Sequence, residues 1–422
     1  MAGPAMTTRA QGARYDRMML VADSLAVAVV ASLPISTSLT AVLTAAWLLA
    51  LLPVLDYTAL REHLKTPAAA LPVLLLLFGA IGMAWAETSA VERWQGFESF
   101  LKLAAIPLLF AQFYRSPRAL WALYAYLGAC VAVLVLSTLF SLLPSLYWRD
   151  AQTFPTPFKN QATQSGEFVA CIFILLYIGI ARWRAGAKGK AAALALLALA
   201  FLNDIVFSAT GRTALVIAGV LLVILGFKCF RLRGIAALLV VAGVLGAALW
   251  MASPYLQKRT TAIWTEIETY QSQRALTSSG ERLEFWRKAV SSIARAPLLG
   301  HGTGSIPAEM RKEIVGQTGD YATVTPNPHQ QTLTVAMQLG IAGALVLWAM
   351  WLAHLLLFRG AGLVAWVGLV VVVQNIVGSL FNTHLFDFTQ GWTYVFGVGI
   401  AGGALLRQAG TWSAASSGAP PR

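Results

Sequence analysis

Twelve predominantly apolar stretches follow one another along this chain, at about residues 18–34, 38–55, 67–85, 97–114, 119–141, 166–181, 191–208, 213–227, 234–252, 329–357, 361–381 and 389–407. A helix needs roughly 20 apolar residues to cross a bilayer. The expected fold is therefore an all-α polytopic membrane protein of about 12 transmembrane helices, with residues 1–422 forming a single integral membrane domain.

Composition agrees with that expectation. Hydrophobic residues make up 58% of the chain and charged residues 12%, against about 25% charge in soluble domains, which excludes an aqueous globular enzyme. The net charge of +13 comes from 31 Lys and Arg against 18 Asp and Glu. No basic run with interleaved aromatics lies on an aqueous segment, so no nucleic-acid partner is expected. Cys130, Cys171 and Cys229 are too few and too scattered for a disulfide framework or a zinc site.

The positive residues orient the chain. Arg9, Arg14 and Arg17 precede the first apolar stretch, which reads as a retained helix rather than a cleaved signal. With the N-terminus in the cytoplasm, Arg61, Lys65, Arg115, Arg118, Arg182, Arg184, Lys188, Lys190, Lys228, Arg231, Arg233, Arg359 and Arg407 fall on the same side. Few positives fall on the other side, so the positive-inside rule places both termini in the cytoplasm. Nine more positives, among them Arg259, Arg282 and Arg287, lie in one outside loop, residues 253–327, between predicted helices 9 and 10. Long loops escape the rule, so this charge needs another cause. Residues 413–422 read as a disordered tail.

Within the loop, Lys258 to Arg274 reads as a helix, with Ile263, Ile267 and Tyr270 at helical spacing. A second helix starts at Ser278 with a capping box to Glu281 and carries an apolar face of Leu283, Trp286, Val290 and Ile293. Pro297 ends it, and a glycine-rich turn, Gly300 to Gly304, follows. That turn comes after a helix rather than a strand, so it is not a dinucleotide loop. Beyond it, a short amphipathic piece runs around Met310 to Val315.

The chemistry-bearing residues gather at the outer face. Asn327 suits an N-cap and Pro328 a first helical position, which would put His329 in the first turn of a membrane helix. The positive helix end disfavours imidazolium, so a ring there is poised to accept a proton. Arg212 opens another span, and a guanidinium at such depth needs anions or headgroups. Arg282 lies one helical turn before Trp286, where its planar fork can address a phosphate. Asp204, near Arg212 in an apolar run, is expected to pair with that arginine. Lys159, Asn160, Arg287, His301 and Asn327 are further candidates for the same site. No metal-ligand spacing or paired aspartates occur, so neither metal nor cofactor is expected.

Taken in order, Ser208-x-x-Gly211-Arg212, Ser279-x-x-Arg282-x-x-x-Trp286, Pro297-Leu-Leu-Gly300-His-Gly302-Thr-Gly304, and Asn327-Pro-His329 opening a helix that reaches Leu339-Gly340 resemble the O-antigen ligase and polymerase superfamily. The resemblance covers about residues 200–385. It implies a GT-C-like, metal-independent membrane glycosyltransferase of the bacterial inner membrane, with its site facing the periplasm. Its partners would be an undecaprenyl-diphosphate-linked O-antigen donor, a lipid A–core oligosaccharide acceptor and membrane lipid. By matching motif, His329 would be the catalytic base and Arg212 and Arg282 the diphosphate ligands. Many relatives have Asn after that histidine, where this chain has Gln330. Ligase is favoured over polymerase because a single large loop directly precedes the histidine helix. A transporter of lipid-linked oligosaccharide is the reading from another class; it predicts related halves and ionisable residues at the midplane.

Overall fold

A computed structural model describes residues 4–150, 153–230, 232–273 and 277–417, all helical or irregular, with no strand among them. The first hairpin pairs α1 (Pro4–Ser32) with α2 (Thr37–Leu51), followed by the short α3 (Tyr57–His63) and by α4 (Pro67–Gly82). Helices α5 (Ala90–Leu101) and α6 (Ala105–Arg115) continue one another through a short 3-10 turn. Next come α7 (Ala119–Leu142), α8 (Gln161–Arg184), α9 (Lys188–Phe207), α10 (Arg212–Cys229) and α11 (Leu232–Ala252). The segment between apolar helices holds α12 (Pro254–Gln273), α13 (Ser278–Arg295) and α14 (Ile306–Glu313). The chain closes with α15 (Gln331–Leu357), α16 (Leu363–Gly378) and α17 (Phe388–Ser417).

Eight of the described helical segments are long and apolar enough to cross a membrane, and nine if α3 and α4, bent by 90°, form one span. The remaining apolar helix α16 has 16 residues. The chain is thus a multi-pass helical membrane protein, and its surface fits that solvent. Val220, Val240, Leu245, Leu345 and Leu352 are all exposed, a burden that water would not tolerate over so many helices. Helix α11 is the extreme case, with Ile235 its sole buried residue. The packed centre lies instead where α6 and α16 meet α17 and where α8 meets α9 and α16, around Phe110, Phe168, Phe201, Trp366, Val372 and Phe396.

Helix ends follow ordinary capping physics. Ser89 and Glu92 form a capping box on α5, and Asn160 caps α8 by accepting from the Thr163 N–H at 2.9 Å. Helix α13 starts at Ser278 as its sequence predicts, but its cap is Thr277, whose hydroxyl accepts from the Gly280 N–H at 3.2 Å. Its apolar stripe is turned the other way: Leu283 and Val290 are exposed, while Glu284, Phe285, Lys288, Ala289 and Ser292 are buried. The buried charges are satisfied locally, Lys288 donating to the Tyr321 carbonyl at 2.7 Å and Glu284 pairing with Arg287 at 2.6 Å. The Ile263, Ile267 and Tyr270 side chains, Arg231, Arg274 and residues 418–422 lie outside what is described; α17 extends to Ser417, into the segment expected to be disordered.

The glycine turn locks this segment onto the bundle. Gly300, Gly302 and Gly304 adopt φ of 66°, 90° and 86°, a region open mainly to glycine. The turn's N–H groups are spent on protein: His301 on the Met337 carbonyl at 2.9 Å, Gly302 on Gln338 at 2.8 Å, Thr303 on Gly82 at 3.0 Å. Opposite, Gly340 breaks α15 with φ 63°, so that the Ile341 N–H reaches the Pro297 carbonyl at 2.8 Å. With its donors used up, the turn is a brace between α4, α5 and α15, which agrees with rejecting a nucleotide loop.

Candidate active site around His329

His329 is not in a helix. Helix α15 starts two residues later, at Gln331, and the Gln330 side chain caps it by accepting from the Leu333 N–H at 2.6 Å. His329 itself takes φ 55°, the left-handed region, and is the one non-glycine residue with positive φ among those described. Such a conformation is uncommon for a side chain and persists where the surroundings fix it. Asn327 fixes it here: its side-chain oxygen accepts from the His329 N–H at 2.8 Å, an Asx turn in place of the expected helix cap. A second tie comes from Gln331, whose N–H donates to the Ser379 carbonyl at 3.0 Å and whose side-chain oxygen accepts from the Leu385 N–H at 3.1 Å. The start of α15 is thereby fastened to the turn between α16 and α17.

That turn supplies the ring's partner. His329 Nδ1 lies 2.8 Å from Asn382 Oδ1, and Asn382 Nδ2 donates to Asp387 Oδ2 at 3.0 Å. The other oxygen of Asp387 accepts from the Thr383 hydroxyl at 3.1 Å, which in turn accepts from Asn327 Nδ2 at 2.7 Å. The five residues form a closed circuit with fixed directions. Asn382 must present its oxygen to the ring because its nitrogen serves the carboxylate, so Nδ1 carries the proton and Nε2 keeps the lone pair. Beneath Asp387, the buried Lys102 ammonium donates to the Phe386 and Asp387 carbonyls at 2.9 and 3.0 Å. Burial pushes the Asp387 carboxyl above the usual carboxylate range, while the Thr383 hydroxyl, Lys102 and His329 pull it back.

On its open side His329 meets α13. The Phe285 ring stacks on the imidazole with centroids 6.3 Å apart and planes at 28°. One turn earlier on α13 stands Arg282, a neighbour at the i, i+3 spacing. No hydrogen bond or ion pair engages its guanidinium among the described residues. Burial, and then the nearby positive Arg212, press Arg282 below the ordinary arginine value, against the pull of Glu266 and Glu281. Two guanidinium groups thus concentrate positive charge at this corner, and that of Arg282 is half-buried without a protein counter-ion.

Arg212 is the first residue of α10 and forms a two-pronged ion pair with Glu266 of α12, at 2.9 and 2.6 Å, while its Nε donates to the Arg259 carbonyl at 3.1 Å. The expected partner, Asp204, is buried elsewhere, accepting from the Ser137 hydroxyl at 2.5 Å and from Gln164 at 3.0 Å. Residues eight apart across a helix end do not face each other, whereas α12 folds back over the end of α10. Arg259, bonded to the Thr210 carbonyl at 3.2 Å, adds a third guanidinium to this corner.

The further candidates divide. Asn327 belongs to the His329 circuit. Asn160 is a helix cap, and Lys159 in the same loop is lowered by burial, with Glu167 opposing. Arg287 is exposed and paired with Glu284. His301 braces the loop, one ring nitrogen on the Ser292 carbonyl at 2.8 Å and the other 3.6 Å from Glu309. Among the described residues no group of three or more His, Cys, Asp or Glu is placed to hold a metal ion. Asn382, Thr383 and Asp387 went unread in the sequence, although the positive-inside topology puts their turn on the same side as His329.

No curated protein matches the chain. Residues 198–348, which run from within α9 to within α15 and include Arg212, Arg282 and His329, match the family model described as O-Antigen ligase. That stretch of the chain is similar to the O-antigen ligase and polymerase superfamily, the same superfamily that the sequence motifs resemble.

Proposed function

We infer that the chain is an O-antigen ligase, a membrane glycosyltransferase that moves O-antigen glycan from undecaprenyl diphosphate to the lipid A–core oligosaccharide at the periplasmic face of the bacterial inner membrane. The circuit from Asp387 through Asn382 to His329 carries this reading, because it leaves Nε2 as a free base against Phe285, one turn of α13 from the unpaired Arg282. Helices α12 to α14 form the periplasmic loop in this reading. Around them, α1, α2, α4, α5 with α6, α7 to α11 and α15 to α17 give twelve crossings with both termini cytoplasmic.

The chemistry follows from the residues. The acceptor hydroxyl is a poor nucleophile and loses its proton to His329 Nε2 as its oxygen attacks the anomeric carbon. The bond from that carbon to the diphosphate breaks on the opposite face, which inverts the configuration. Arg282 and Arg212 take up the charge developing on the leaving diphosphate, so no metal is needed. The imidazolium that forms keeps its Nδ1–H on Asn382, with the Asp387 carboxylate behind it. Glu266 holds the Arg212 fork in the geometry a phosphate would use, and the diphosphate takes its place.

The test is glycan transfer by the purified protein in nanodiscs, without added metal, from undecaprenyl-diphosphate glycan to lipid A–core. A heavier core glycolipid on gels and in mass spectra supports the ligase. Longer chains that remain on the carrier would make it a polymerase, and no transfer from an authenticated donor and acceptor would remove the reading.

A further inference from the structure

A second polar site lies inside the bundle and takes no part in the chemistry above. Glu167 of α8, Gln374 and Asn375 of α16 and His384 of the α16–α17 turn line a cavity of about 20 Å³. These side chains are 4%, 9%, 3% and 9% exposed. Both oxygens of Glu167, Gln374 Oε1, Asn375 Nδ2 and His384 Nδ1 have no partner within the protein. Buried polar atoms are nearly always bonded, so five unpartnered ones on four residues that line one cavity call for a shared ligand.

The orientations define what that ligand must do. Gln374 Nε2 donates to the Gly166 carbonyl at 3.0 Å, so its oxygen faces inward as an acceptor. Asn375 Oδ1 accepts from the Trp351 indole at 3.2 Å, so its nitrogen faces inward as a donor. His384 adds a ring nitrogen, Nδ1, that no hydrogen bond in the protein engages. Two carboxylate oxygens and one amide oxygen thus share the site with one donor group, the Asn375 amide, and an imidazole nitrogen lies beside them.

An ionised carboxylate in this setting lacks a paired charge. The cation acting on Glu167 is Lys159, outside the helix. Tyr126 and Cys130 of α7 and Cys171 of α8 face the same region and bring no positive charge. The Tyr394 hydroxyl of α17 is taken by His354 at 2.5 Å. A buried carboxyl without a partner charge is neutralised rather than left ionised. A water needs about 10–15 Å³ and two to four polar partners, which this cavity provides.

We propose that this is a proton-and-water site, in which Glu167 is carried as the neutral carboxylic acid and one water joins it to Gln374, Asn375 and His384. The acid proton, the two water hydrogens and the Asn375 N–H then serve the acceptors. The inward Asn375 N–H argues against a metal cation in the same place. His384 belongs to the turn that presents Asn382 and Asp387 to His329, so the site also pins that turn. This second part rests on the ligase reading, and makes Glu167 a positioning residue for His329.

Infrared difference spectra of the full-length protein in nanodiscs, wild type against Glu167→Gln, test the site itself. The expected result is a carboxylic-acid carbonyl band near pH 7 that Glu167→Gln removes; absence of that band overturns the proposal, whatever the glycan-transfer result. Glu167→Gln keeps a neutral donor and a carbonyl acceptor in the acid's place and is expected to transfer glycan at about the wild-type rate. Glu167→Ala is expected to lose on the order of 10-fold to 100-fold in kcat with KM unchanged, through misplacement of the turn. Equal loss in Glu167→Gln and Glu167→Ala, or saturable stabilisation by sodium that Glu167→Gln abolishes, would mean an ionised site and sink the proposal.

Discussion

His329 Nδ1 sits 2.8 Å from Asn382 Oδ1 across 53 residues of chain, and Asn382 takes its orientation from Asp387. The ring's tautomer is therefore set by a residue of the α16–α17 turn rather than by the helix that His329 precedes. A general base contributes about 10²- to 10⁴-fold, so His329→Ala is expected to reduce kcat by that order. Asn382→Ala leaves the base in place but frees its ring, and should cost less than His329→Ala, again in kcat rather than KM. Initial rates of glycan transfer over a range of donor concentrations separate the two. Equal KM effects and an unchanged kcat in Asn382→Ala would remove the orienting role.

The glycine turn offers a test of the fold alone. At Gly302, φ is 90° and a Cβ would collide with the Ala86 backbone of the loop after α4, whereas Gly316, at φ 79°, has open space around it. Gly316→Ala should cost about 1–2 kcal/mol for the left-handed backbone. Gly302→Ala adds overpacking of about 1–3 kcal/mol and loosens the loop from the bundle. Thermal unfolding in detergent should show a clearly lower Tm for Gly302→Ala than for Gly316→Ala; matching values would mean that the turn does not bear on the docking.

Some of this was legible in the sequence and some could not be. The helical period found α12 and α13, because a 3.6-residue repeat survives any tertiary context. The same pattern misplaced the buried face of α13, since Lys288 and Glu284 find partners that no local rule foresees. Asn327-Pro328 carries a helix-start signal, yet α15 begins at Gln331 because the fold ties that residue to Ser379. Asp204 and Arg212 are close in sequence and apart in space, whereas Glu266 arrives from another helix. Asn382 and Asp387 acquire meaning only once the turn that carries them closes on His329.

Acid should loosen the loop through Glu309. Burial alone would raise this carboxyl, but Lys312, Arg295 and His301 outweigh it, and the folded value lies below the ordinary 4.5. The unfolded chain then binds more protons in that window, so stability rises with pH there. The contribution is complete above the ordinary glutamate value and is lost as pH falls through the folded value. Glu309 joins α14 to Arg295 of α13 at 3.0 Å, so the loss should appear as loop opening. Limited proteolysis between α12 and α14 at pH 3 to 6 is the measurement. Glu309→Gln should flatten the profile, and an unchanged profile in that variant would assign the effect elsewhere.

The arginine corner makes the sharpest distinction between binding and chemistry. Arg282 is unpaired while Arg212 is held two-pronged by Glu266. Removing Arg282 should therefore weaken donor binding and leaving-group stabilisation together, raising KM and lowering kcat, with Arg282→Lys recovering part of the loss as a point charge. Glu266→Gln takes away the competitor for the Arg212 fork. The ion pair is partly exposed, so its removal should cost roughly 1 kcal/mol or less in stability. The same variant should lower KM for the diphosphate donor, because the fork no longer exchanges one anion for another. Titration of donor or inorganic diphosphate against wild type and Glu266→Gln, read alongside Tm, decides it: weaker binding in Glu266→Gln would show that Glu266 positions Arg212 for the donor rather than standing in its place.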